Sequence, residues 1–369
     1  YLSKNNFSDS EIANFISYRF LAVILLSYPL GYFISFRRLK PFFILSSILF
    51  PIVAISLIFL IEFKLYEYLN FVFFLWGIVF MLFQVSVLPF IMRYSSDNNQ
   101  TYSISLSFAT HSIAMLFSGL FIYITYNIFS LLESDILIII SLLGLGSIFY
   151  SVRINEPIIL MNDKTKKREF SWHLNIQCSL PTLVIAIGAG LTIPFINLFF
   201  FHKFEVDSSG FALIGGLTSL IVASSSLLVP FVKNTFGFEK SIINTQLLAV
   251  LALICLSTTA YFNQYRFILY LAIFFYIMRA PLMNMAAPLT SELIMKFVGK
   301  KNQEMLSAII AAIWSGSWYF SAKIFKYLME EGYNYSEVFY ITSILYLIGI
   351  LLYYLLIKKF KSNIEQASN

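Results

Sequence analysis

The chain has 369 residues, a net charge of +6, 12% charged and 59% hydrophobic residues, and a mean hydropathy of +0.79. Soluble domains carry about 25% charged residues, so an ordinary soluble fold is excluded, and the apolar runs reach the roughly 20 residues that a bilayer-crossing helix needs. A transmembrane β-barrel would instead show ~10-residue segments of alternating polarity, and a nucleic-acid-binding face would gather the basic residues that here are scattered over short loops.

The chain opens at Tyr1 on a polar stretch, YLSKNNFSDSE, without the charged and apolar regions of a signal peptide. Eleven apolar spans follow, at residues 11–34, 42–61, 69–93, 101–126, 135–152, 173–201, 210–232, 241–261, 267–295, 304–328 and 337–357. Pro29, Pro51, Pro89, Pro181, Pro194, Pro281 and Pro288 fall inside them. Membrane helices tolerate proline because neighbouring groups re-satisfy the freed backbone, so each span is expected to persist through its proline. Cys178 and Cys255 lie singly in apolar runs and read as small buried hydrophobes. They offer neither a disulfide framework nor metal-ligand spacing, and no cofactor is expected.

Counting the loops alternately separates the basic residues. Arg37, Arg38, Lys40, Arg93, Arg153, Lys164, Lys166, Lys167, Arg168, Lys233, Lys240, Lys296, Lys300, Lys301, Lys358, Lys359 and Lys361 fall on one side, seventeen against five on the other. Basic loops are retained in the cytoplasm, which predicts a multi-pass protein of a prokaryotic-type plasma membrane with a cytoplasmic C-terminus. The longest basic loop contains NDKTKKRE and separates five spans from six. It predicts an N-terminal bundle over 1–153, a cytoplasmic linker over 154–172, and a C-terminal bundle with a short tail over 173–369. Such a loop can also meet anionic lipid.

An internal repeat joins the two parts. Residues 91–100, IMRYSSDNNQ, match residues 294–303, IMKFVGKKNQ, at an offset of 203, pairing Arg93 with Lys296, Asn99 with Asn302 and Gln100 with Gln303. A second echo pairs LLSYPLGY around Pro29 with SLLVPFVK around Pro230, at an offset of 201. Both copies precede loops on the same side, so the repeat is parallel, as in transporters whose halves are related by an axis along the membrane normal. The same offset places the partner of the 173–201 span before Tyr1. The expected plan is therefore twelve helices, of which this sequence holds eleven and lacks the first.

With these features in hand, the sequence resembles the major facilitator superfamily over essentially its whole length. FSDSEIANFISYRF resembles the family's outer loop and the entry to its second helix. GYFISFRRLKP, residues 31–41, resembles the signature loop Gly-x-x-x-Asp-Arg-x-Gly-Arg-Lys, with Gly31, Arg37 and Lys40 supplying its glycine and basic residues. Ser35 stands at the acidic position and Arg38 at the second glycine, so the charge relay that the resemblance implies there lacks its acid. PFVKNTFGFEK keeps Lys233, Gly237 and Lys240 of the same pattern in the second half. The resemblance implies an all-α integral membrane fold of two pseudo-symmetric six-helix bundles, a monomer, and transport by alternating access.

Ionisable groups inside spans are costly and mark candidate sites. Arg279 stands mid-span within YIMRAPLMNMAAP, where Pro281 and Pro288 flank Asn284 and an interrupted segment can open onto a cavity. The alternative is a structural arginine bonded to a neighbouring helix. Arg19 can reach the same cavity or snorkel outward, and Lys323 reads as snorkelling. Glu292 is expected to pair with the basic loop around Lys296. Ser103, Ser107, His111 and Ser118 recur at steps of four, four and seven, forming a polar stripe in which His111 can exchange a proton near neutral pH. The competing reading of His111 is a buried hydrogen-bonded ring. Gln84, Asn197 and Asn284 add neutral hydrogen-bonding groups on helices that line the cavity in the family. Trp314, Trp318 and Tyr319 read as an aromatic wall or as helix packing.

Up to three cations and no carboxylate lie near the midplane of these spans, a balance that suits an anionic solute. The leading reading is a secondary transporter of a small anionic organic solute, coupled to a proton or a counter-substrate. The alternative is a proton-coupled exporter of drugs or lipophiles. Against it, the glycine–proline motif of many family antiporters is missing from 101–126, where only Ser118 and Gly119 stand. A non-transporting receptor or scaffold would leave Arg279 dispensable. No His-Glu-x-x-His run or nucleophile–base pair points to an enzyme, and no filter sequence points to a channel.

Overall fold

A computed structural model describes the chain except residues 3, 4, 6, 8, 36, 130, 157–169, 207 and 369. Among the described residues thirteen α-helices run in order: α1 (Asp9–Ile34), α2 (Lys40–Glu62), α3 (Leu69–Tyr94), α4 (Gln100–Asn127), α5 (Glu133–Gly144), α6 (Gly146–Arg153), α7 (Trp172–Thr192), α8 (Ile196–Phe204), α9 (Ser208–Phe236), α10 (Phe238–Thr259), α11 (Ile268–Val298), α12 (Gln303–Glu330) and α13 (Tyr335–Ser368). No strand occurs among the described residues. Among the described residues eleven segments are long and apolar enough to cross a membrane, and each overlaps one of the eleven spans read from the sequence. Lys164, Lys166, Lys167 and Arg168 of the expected linker, and Lys4 near the start, lie outside the described residues.

Most of the prolines are absorbed as expected. Pro29, Pro51, Pro89, Pro181, Pro230, Pro281 and Pro288 all sit inside unbroken helices. Pro194 does not: there the sixth span turns into a short 3₁₀ segment, Ile193–Phe195, between α7 and α8. Proline removes one N–H and clashes with the carbonyl a turn earlier, and here the backbone yields by tightening rather than by bending. The fifth span also has two pieces, α5 and α6, meeting at Leu145 between Gly144 and Gly146. The last helix continues past the apolar span through Lys358, Lys359 and Lys361 to Ser368.

The helices gather into two compact units, neither of them a single stretch of chain. The first comprises Tyr1–Arg93, Phe117–Asn175 and Val298–Gly316; the second comprises Tyr94–Leu116, Ile176–Phe297 and Ser317–Asn369. In the first unit Val23, Ile34, Phe43, Met81 and Val85 pack with Ala308 and Ala311, so the start of α12 belongs to the core built by α1 and α3. The approach is close: a Cβ on Gly31 would come within 2.6 Å of Ala308 Cβ. In the second unit Leu191, Phe325 and Val338 form a core under α7, α12 and α13, where the Phe195 and Phe325 rings stack 3.6 Å apart. Large apolar side chains such as Leu213, Leu251 and Tyr270 remain exposed, as suits helices whose solvent is lipid.

Candidate functional site

Arg279 lies eleven residues into α11 and is only 4% exposed. Its guanidinium donates to Tyr346 Oη on α13 at 3.1 Å and lies 5.9 Å from the centre of that ring. The Nε–H has no acceptor among the described residues. The Tyr346 ring is in turn held against Gly188 of α7, where a Cβ would meet it at 3.0 Å. The arginine is thus aimed by a neutral phenol and not by a carboxylate.

Arg19 is set differently. Its guanidinium lies 4.7 Å from the Trp76 ring centre and 4.5 Å from that of Phe80, both on α3. Gly77 permits this arrangement, because a Cβ there would collide with the Arg19 carbonyl and with Ala22. Arg19 has no carboxylate partner among the described residues. One turn beyond Phe80, Gln84 Oε1 is buried without a donor.

The other expected residues are dispersed. Asn284 is exposed and donates to Ala280 O of its own helix at 2.9 Å. Asn197 on α8 and His111 on α4 are exposed. Trp314 and Trp318 are both half-buried, the first in the first unit and the second in the other. Lys323 is exposed over the Tyr319 ring at 4.7 Å. Ser103 Oγ accepts from Ser95 Oγ at 3.0 Å, so the head of the polar stripe is engaged locally.

Two charge clusters occupy the ends of the spans on the basic-loop side. In the first unit the loop after α1 holds Ser35 Oγ donating to Gly31 O at 2.6 Å, and Arg37 over the Phe33 ring at 4.1 Å. A carboxylate from further along the chain also stands at this loop. Glu156, 4% exposed, accepts the Leu39 and Lys40 backbone N–H groups at 2.8 Å each, capping the start of α2. A carboxylate there meets both the unsatisfied donors and the positive end of the helix. Arg38 donates to the Glu156 carbonyl at 3.0 Å. Arg93 donates to the Arg37 carbonyl at 2.8 Å and pairs with the buried Glu304 carboxylate.

In the second unit the buried Glu292 carboxylate receives Lys233 at 2.9 and 3.1 Å, Lys296 at 2.7 Å and the Thr101 hydroxyl at 2.5 Å. The pairing of Glu292 with the loop around Lys296 follows the sequence expectation. Gly237, at φ +80°, joins α9, whose last turn carries Lys233, to the start of α10; this left-handed conformation suits glycine. Lys240 is exposed.

Sequence reasoning missed Glu156, Glu304, Thr101, Tyr346, Trp76 and Phe80. For two of these a signal was present. Thr101 and Glu304 directly follow the matched Gln100 and Gln303, so they are repeat mates at the same offset of 203. In the structure Glu304 meets Arg93, and Thr101 meets the carboxylate that holds Lys296, the repeat mate of Arg93. The others had no local signal, because Tyr346 is 67 residues from Arg279 and Glu156 is 117 from Leu39.

No curated protein sequence matches this chain, but solved structures share its fold. A variant of the E. coli fucose:proton symporter FucP superposes with a TM-score of 0.75 at 10% identity, covering 95% of this chain and 92% of that one. The proton:xylose symporter XylE, bound to 6-bromo-6-deoxy-D-glucose, gives 0.72 at 14% identity, covering 94% and 87%. The human organic anion transporter MFSD10 gives 0.70 at 12% identity, covering 92% and 83%. The sequence profile of the Major Facilitator Superfamily matches residues 1–322, and this chain, an integral membrane transporter, belongs to that family.

Proposed function

We propose that this protein moves a small anionic organic solute across a prokaryotic-type plasma membrane by alternating access, coupled to a proton or a counter-substrate. One observation carries the reading: Arg19 and Arg279 both lie within membrane spans, and neither has a carboxylate partner among the described residues. An unneutralised arginine within a bilayer is costly unless a cavity or a ligand meets it, and its planar fork suits carboxylate or phosphate. The buried carboxylates Glu292 and Glu304 do not offset these charges, since each is already engaged by basic residues. His111, exposed on α4, is the proton-coupling candidate. An organic anion transporter and two proton symporters among proteins of like fold accord with this reading. The excess of basic residues in alternate loops favours a cytoplasmic C-terminus, and the halves read from the sequence, 1–153 and 173–369, are the bodies proposed to move.

One feature favours export of a lipophile instead. A wholly apolar groove of about 410 Å³ is lined by Ile221, Phe274, Ile277, Met278, Pro281 and Leu282.

A thermal-unfolding screen with carboxylates, phosphate, neutral sugars and lipophilic cations separates the two. A ligand at ~100 times its dissociation constant adds about 2.7 kcal/mol to the state it binds. Stabilisation by anions that is lost in Arg279→Ala and Arg19→Ala is expected. Stabilisation by lipophilic cations, unchanged in both variants, would overturn the anion reading and favour the groove.

A further inference from the structure

Trp76, Phe80 and Gln84 follow one another at steps of four along α3 and therefore share one strip of that helix. Arg19 lies over the first two rings. Gln84 Oε1 is buried without a donor among the described residues. Each feature is incomplete by itself. A guanidinium lying on aromatic rings gains from their negative faces, yet its N–H groups still need acceptors, and none is provided by the described residues. A buried carbonyl oxygen without a donor is likewise unstable in an apolar surrounding. The strip thus offers a flat cation over Trp76 and Phe80 and a bare acceptor on Gln84, one turn or about 6 Å beyond Phe80 along the helix axis.

We infer that Arg19, Trp76, Phe80 and Gln84 form a binding subsite in the first unit for a carboxylate that carries its own hydrogen-bond donor, a hydroxy acid being the simplest case. The inference rests on the anion reading above and narrows it. The carboxylate takes the N–H edge of Arg19, which the rings hold in place. A hydroxyl of the solute donates to Gln84 Oε1. A plain fatty acid of equal length satisfies the arginine and leaves Gln84 bare, so the subsite discriminates by the unpaired acceptor and not by size.

Gluconate and hexanoate are matched probes: each has six carbons and one carboxylate, and gluconate carries a hydroxyl on each of its remaining carbons. Thermal unfolding of the full chain against a concentration series of each yields apparent dissociation constants. Gluconate is expected to bind roughly tenfold more tightly, the scale of one satisfied buried hydrogen bond. Gln84→Leu removes the acceptor and should erase that ratio. Arg19→Lys keeps the charge but loses the planar fork, and should weaken both probes. The same ratio measured in Gln84→Met guards against a packing effect peculiar to leucine. Equal binding of the two probes by the parent protein, or a ratio that survives both Gln84 variants, overturns the inference. If phosphate stabilises the protein in an Arg19- and Arg279-dependent way while both carboxylates fail, this subsite is wrong and the anion reading stands. If only lipophilic cations stabilise it, both fall.

Discussion

At the scale of single residues, charge in this protein is handled by completion. Glu304 and Glu292 are fully buried carboxylates; Glu304 pairs with Arg93 through one oxygen, and Glu292 is held by Lys233 and Lys296. Removing one partner from a buried pair leaves an uncompensated charge, at a cost of about 3–5 kcal/mol. Arg93→Ala, which strands Glu304, is therefore expected to lower stability by that amount in chemical unfolding. Lys296→Ala should cost much less, because Lys233 and Thr101 still hold Glu292 and Lys296 is itself part-exposed. A Lys296→Ala loss as large as that of Arg93→Ala would mean that Lys233 and Thr101 do not hold Glu292 without Lys296. Arg279 was legible in the sequence, since any arginine in an apolar span draws notice. Its phenolic partner was not, because Tyr346 on another helix reads as one more aromatic residue in an apolar run.

Between elements, close approach is decided by a few glycines. Gly77 lies against the Arg19 backbone and Ala22, and any Cβ there forces α1 and α3 apart. Backbone cannot yield as a side-chain tip can, so Gly77→Ala should destabilise by about 1–3 kcal/mol. It should also weaken anion binding by shifting Arg19 off its rings. Gly119→Ala on α4 faces open space and is expected to change stability by no more than about 0.5 kcal/mol. Measuring both variants by thermal unfolding tests this contrast; equal losses would show that the α1–α3 contact is not tight. The sequence marks both residues only as glycines in apolar helices. Pro194 teaches the same lesson, since seven prolines of like context stay within helices while this one produces a 3₁₀ break.

For the whole molecule, the basic residues predict one orientation. A reporter fused after Lys361 is expected to be active only when it folds in the cytoplasm, and a cysteine introduced at Arg266, an exposed residue among the five basic ones on the opposite side, should react with an impermeant thiol reagent from outside. Reversed labelling would invert the topology and move both charge clusters to the outer side. The eleven spans were legible because bilayer crossing imposes a length and an apolarity that composition displays directly.

The sequence by itself determined the membrane class, the eleven spans, the parallel repeat and the likeness to one transporter family, because each is written in local hydropathy or in a match at constant offset. Only the tertiary structure decided which groups meet. It placed Glu156 on the start of α2, set Arg19 on Trp76 and Phe80, and gave Arg279 a phenol for a partner. Those pairings join residues tens to more than a hundred positions apart on different helices. Nothing in an apolar helix's own pattern tells which neighbour its single polar group will face.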